Sequence, residues 1–210
     1  MARTPFGPSW EDLNLDALGA FFMLGEEETL TWECKGGEVG SKNIVRAVCG
    51  FANSNRGGYL VLGVSGGPSK GGWVPNGWVP PTEARVYLGQ VIADGVAPQP
   101  PFDVQSWALP DGREVSVVQV GRVAVPPAIT SSGGVFERLP GQTRQISDPT
   151  TLRRLFERGQ AASERASLQA VVGLNGGSWN QGPVGNDRRV PGIAIAARRH
   201  LVEPIPEERH

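Results

Sequence analysis

"RAVCGFANSNRGGYLVLGV", residues 46 to 64, decides the fold, because it passes from a helical pattern to a strand pattern through one Asn/Gly-rich joint. Before the joint, Ile44, Val45, Val48, Phe51 and Ala52 recur at the spacing of one helix face. After it, "YLVLGV" at 59–64 is short and almost wholly apolar, the mark of a strand buried on both sides. Upstream, Leu30, Trp32 and Cys34 alternate with Thr31, Glu33 and Lys35, which predicts a strand with one polar face. Strand, helix and strand through short joints predict a right-handed crossover between parallel strands. The glycines at 57 and 58 do not read as a phosphate cradle. Dinucleotide and P-loop glycines follow a strand and open a helix, whereas these close a helix and precede a strand. Lys70, between Ser69 and Gly71, completes no G-x-x-x-x-G-K-[ST] pattern. Gly57 and Gly58 therefore read as a helix stop and a tight turn.

Outward from this block, "WEDLNLDALGAFFML" at 10–24 predicts a helix capped by Ser9. "SGGPSKGGWVPNGWVPP" at 65–81 reads as a loop with Gly-Trp-Val-Pro occurring twice, and "TEARVYLGQVIADG" as a helix capped by Thr82. "PFDVQSWALPDGREVSVVQV" predicts a hairpin turning at Pro110-Asp111-Gly112. "GGVFERL" reads as a strand, Asp148-Pro149 opens a helix over "TTLRRLFERG", and a separate helix is expected over Ser163 to Val172. "GIAIAAR" at 192–198 suggests one more strand. The expected architecture is α+β, a mixed β-sheet flanked by helices, with a domain at 9–160 and a C-terminal extension at 161–210.

The chain of 210 residues is 39% hydrophobic and 20% charged, with 29 glycines and 18 prolines, which suits a turn-rich globular domain rather than a helical bundle. No apolar run reaches the roughly 20 residues a membrane span requires, and the N-terminus shows no signal-peptide core, so a cytoplasmic protein without a membrane partner is expected. Cys34 and Cys49 form no C-x-x-C pair, and the two histidines, His200 and His210, stand near the C-terminus. Zinc and histidine-centred catalysis are therefore not indicated. Net charge is −1 but unevenly spread. Residues 1–40 hold eight acids against Arg3 and Lys35, whereas residues 138–199 hold ten arginines against four acids. That asymmetry either builds a basic face for phosphates or decorates solvated helices.

Glu28 and Glu33 flank the entry to the first strand, with Lys35 on the face of Glu33. Two carboxylates and a lysine can hold a divalent cation for phosphodiester cleavage, or can form an ordinary surface ion pair. "GEEETLTWECK", "IVRAVCGFANSNRGGYLVLGVS" and "GGVFERLPGQTRQISDPTTLRRLFERG" together resemble the Schlafen AlbA-type DNA-binding domain family over about 130 residues. The matching positions are Glu28, Glu33 and Lys35 (with Cys34 in place of an aromatic), Phe51-Ala52-Asn53, Gly57-Gly58, Gly63-Val64, and Arg138 with Gly141. The resemblance implies a compact Schlafen/Alba-like α+β domain linked to nucleic acid, in which the 53–58 joint is a packing corner and Asn53 caps backbone groups at the turn. Some members cleave structured RNA with three acids. Here Glu28 and Glu33 stand, but Ser65, Gly66 and Gly67 occupy the place of the third, and Asp94 and Asp103 do not fit it by spacing.

Three readings follow. The leading one is a nucleic-acid-binding domain, phosphate-directed and not strongly sequence-specific, contacting DNA or structured RNA through Lys35, Arg56, Arg138 and Arg144 without a cofactor. Trp73 and Trp78 either stack on unpaired bases or cap the core; Arg153, Arg154 and Arg158 read as a solvated helix face. The second is a divergent endoribonuclease using Mg²⁺ or Mn²⁺, with Glu28 and Glu33 as metal ligands and Lys35 completing the catalytic set. The third is an assembly module that keeps the fold without activity. Because related proteins pair two such lobes, a homodimer is a further expectation.

Overall fold

The computed structural model describes residues 3–66 and 72–175. In chain order the elements are α1 (Leu15–Met23), β1 (Trp32–Lys35), α2 (Ser41–Ala52), β2 (Gly58–Leu62), β3 (Val64–Gly66), β4 (Trp73–Pro75), α3 (Ala84–Gly95), β5 (Val96–Ala97), β6 (Phe102–Ala108), β7 (Glu114–Val120), β8 (Ile129–Thr130), β9 (Phe136–Leu139), β10 (Gln142–Gln145) and α4 (Pro149–Asn175). The largest sheet has the order β1-β2-β7-β6. β1 and β2 are parallel, with Glu33 opposite Leu60, as the strand–helix–strand reading requires. β7 runs antiparallel to both β2 and β6, so the sheet is mixed. The hairpin between β6 and β7 turns where Pro110-Asp111-Gly112 stands.

Strand alternation divides the core in two. Leu60, Leu62, Val118 and Val120 face Ile44, Val48 and Phe51 of α2 and Leu88 and Ile92 of α3. Val61, Val115 and Val117 face the opposite way, against Phe6, Leu18, Phe22 and Trp32. Both faces are covered, which is why "YLVLGV" carries almost no polar residue. The joint after α2 is a packing corner. Gly57 adopts φ +77°, and a Cβ there would collide with the Val120 carbonyl of β7, so only glycine closes this turn.

Several boundaries differ from the sequence reading. α1 begins at Leu15 with Asn14 as its cap, the Asn14 Oδ1 accepting from the Ala17 N–H at 2.9 Å. Ser9 instead donates to Asp12, and the Trp10 indole donates to Asp103 of β6, tying this segment to the sheet edge rather than to a helix. α3 starts after Glu83 without a side-chain cap, so Thr82 does not serve as one. The expected turn after Arg138 is a β9–β10 hairpin, with Thr143 opposite Arg138. α4 is one continuous helix across residues 159–163, so the expected domain boundary at 160 falls inside a helix. The strand expected at 192–198 lies outside the described residues, and no described helix is long and apolar enough to cross a membrane.

Candidate functional site

Glu33 points from β1 toward α2 and the β9–β10 hairpin, and it is buried. A carboxylate there needs full compensation, because a desolvated, unpaired charge is prohibitively costly. Arg138 of β9 supplies it. Its guanidinium donates to Glu33 Oε2 at 2.7 Å, to Glu28 Oε2 at 3.1 Å, and to the carbonyls of Thr29 and Trp32 at 3.0 and 2.8 Å. The side chain is 0% exposed and lies over the Phe51 ring, 5.6 Å from its centroid. Thr143 also donates to Glu33 Oε2, Lys35 pairs with Glu33 Oε1 at 2.5 Å, and the Cys34 N–H donates to Glu28 Oε1 at 2.8 Å. Two acids and two cations thus form a neutral clasp between the first strand and the hairpin.

This geometry bears on two expectations. Arg138 is enclosed with its donors spent on protein acceptors, so it does not present itself to a phosphate. Glu28 and Glu33 have each oxygen engaged by an N–H, a hydroxyl or a cation, so they form a structural pair rather than an open ligand set for a divalent metal. Lys35 is the partly exposed member of the clasp and leans on Glu33. Neither alternative acid joins them: Asp103 lies on the opposite edge strand, β6, bonded to Trp10 and Arg85, and Asp94 accepts from Gln90. Ser65 accepts from Asn76. Arg144 is exposed and pairs with Glu137 at 2.6 Å. Trp78 is buried and donates to Ser116, while Trp73 packs on Trp32 and Phe22 and donates to the Glu26 carbonyl; both belong to the core, not to a base-stacking surface. Asn53 does not cap its own turn. Its amide donates to the carbonyls of Ala128 and Phe136, both at 2.9 Å, and its Oδ1 accepts from the Ala128 N–H, pinning α2 to distant loops.

Arg56, expected from the sequence to contact phosphate, lies on the surface. It stands exposed on the corner after α2 and lines a cleft of about 570 Å³ shared with Arg154 and Arg158 of α4. Apolar walls from Leu30, Ile146 and Leu155 complete it. A second cleft, about 250 Å³, continues from it at Ser54 and Arg158 and adds Arg122 and Arg165. Arg158 donates to the Asn53 carbonyl at 2.5 Å and to Asn55 Oδ1 at 2.6 Å. Burial, and then the like charge of Arg122, lower its pKa from the ordinary arginine value, so its cation is held where it is not electrostatically satisfied. Among the described residues, none of Arg56, Arg122, Arg154, Arg158 and Arg165 forms an ion pair with a carboxylate. The sequence reading assigned Arg154 and Arg158 to a solvated face and missed Arg122 and Arg165. A signal was present, since positions 154, 158 and 165 fall on one face of a continuous helix.

A sequence model described as Schlafen, AlbA_2 matches residues 28–147, which include the clasp, the corner and the hairpin. Among solved structures, the N-terminal domain of a RecG-related protein from Nitrosomonas europaea is 25% identical, with a TM-score of 0.45, covering 64% of this chain and 90% of that one. The DIP2311 protein from Corynebacterium diphtheriae is 19% identical with a TM-score of 0.41, over 57% of this chain. The matched part spans 22% of the DIP2311 chain. No curated protein matches.

Proposed function

Because the chain belongs to the Schlafen, AlbA_2 family, we propose that it binds nucleic acid through its phosphates, by way of the arginine-lined clefts between the α2 corner and α4. The observation that carries this reading is the convergence of Arg56, Arg122, Arg154, Arg158 and Arg165 on two joined clefts, none of them paired with a carboxylate among the described residues. Cations placed this way repel one another, and a polyanion relieves that repulsion while releasing its own counterions. Phosphate contacts position a ligand without reading its sequence, so weak specificity is the expected behaviour. The acids Glu28 and Glu33 do not line these clefts, and Glu137, which lines the first, is paired with Arg144.

Fluorescence anisotropy with a labelled RNA hairpin and with duplex DNA, both in EDTA so that no cation bridges the partners, tests the proposal. Each phosphate contact contributes a slope of about −0.7 to −0.9 to the plot of log affinity against log salt. Reversing the charge at exposed Arg122 and Arg165 is expected to flatten that slope by about two such contacts and to weaken both ligands. Binding by the double variant equal to that of the parent, with folding unchanged, would remove the clefts as the interface. Reversal at Arg144, already paired with Glu137, is expected to have the smaller effect.

A further inference from the structure

The clefts continue beyond the arginines. A third hollow, about 330 Å³, joins the first cleft at Arg56 and is lined by half-buried Tyr59 and Phe102. Its one acid, Asp103, is already paired with Arg85 and with the Trp10 indole. The three hollows therefore follow one another around the 53–58 corner, with cations in the first two and aromatic rings in the third. The central cleft also has an apolar wall that phosphates do not use: Leu30, 51% exposed, together with Ile146 and Leu155.

A double helix would leave that wall bare. Its bases are paired and stacked inside, and it offers the arginines only a phosphate ridge. An unpaired nucleotide brings both kinds of surface at once, a charged backbone and an apolar base face. We infer that these clefts take single-stranded nucleic acid, with the backbone on Arg122, Arg158 and Arg56 and unpaired bases against the Leu30 wall and the Tyr59–Phe102 hollow. The inference rests on the phosphate-directed reading of the same clefts and narrows it to one class of strand.

Competition against a labelled ten-nucleotide single strand separates the two readings, using the full chain at low salt in EDTA. The unlabelled strand is expected to compete at least about tenfold better than a blunt duplex of the same sequence, as base contact adds to phosphate contact. Replacing Leu30 by Asn, at an exposed position that leaves the core intact, is expected to lower single-strand affinity about threefold and duplex affinity by a smaller factor. A duplex that competes as well as the strand would overturn the single-strand inference while leaving phosphate-directed binding in place. So would a Leu30→Asn variant that binds the strand as the parent does. Adenosine monophosphate competing at the strand's own concentration would replace the strand with a free nucleotide as the occupant. Binding of neither strand nor duplex would remove the phosphate-directed reading itself.

Discussion

Arg138 is separated from Glu33 by 105 residues and from Glu28 by 110, yet these side chains form the most buried polar contact in the described structure that involves opposite charges. The sequence shows two acids near a lysine and an arginine before a Gly-containing turn, but alternation along one strand does not reveal what faces it from another. That is why Glu28 and Glu33 are recognisable as special while their partner is not. Removing one member of a buried ionic group leaves its partner charged without compensation, at a cost of about 3–5 kcal/mol. Arg138→Met is therefore expected to lower unfolding free energy in urea by that amount. Adding Glu33→Gln to the same chain should cost less than the sum of the two single changes, because the second substitution removes the stranded charge. Strictly additive losses would break the clasp into independent contacts. The same coupling means that loss of any activity in a Glu33 variant reports on folding before it reports on chemistry.

At the scale of the element, α4 shows propensity yielding to packing. Gly159 invites a break in the sequence reading, since glycine costs about 1 kcal/mol relative to alanine inside a helix. The helix nevertheless continues, because the missing Cβ lets it lie directly on the Pro126 carbonyl, where any side chain would collide. Gly159→Ala is accordingly expected to destabilise the protein, by about 1–3 kcal/mol as in overpacked sites, although propensity alone favours it. A thermal melt that rises in this variant would show that α4 does not hold this seat. The continuous helix also has a functional consequence. It keeps Arg154, Arg158 and Arg165 in one register, so that one element supplies cations to two clefts. α1 is the reverse case, where the capping rule names the right residue class but Ser9 donates to Asp12 and Asn14 takes the cap.

For the whole molecule, the mixed sheet with both faces covered turns Glu28 and Glu33 inward to Arg138 in the clasp, and leaves Arg56, Arg122, Arg154, Arg158 and Arg165 around one outer corner. A chain ending at residue 160 loses Ala161, Ala162 and Arg165 from the second cleft while retaining β1 to β10. Compared with a chain ending at 175, it is expected to bind nucleic acid more weakly and to melt through a similarly cooperative transition. Equal affinity of the two would separate the second cleft from binding. The sequence by itself determined the α+β class, the parallel β1–α2–β2 unit, the β6–β7 hairpin and the family, because each rests on local periodicity, turn chemistry or a contiguous motif. Only the tertiary structure decided that Arg138 is a buried counter-ion, that both tryptophans of the repeated loop belong to the core, and that Arg122 joins Arg158 and Arg165. Those outcomes depend on which distant side chains share a space, and charge placed by long-range packing leaves no periodic trace along the chain.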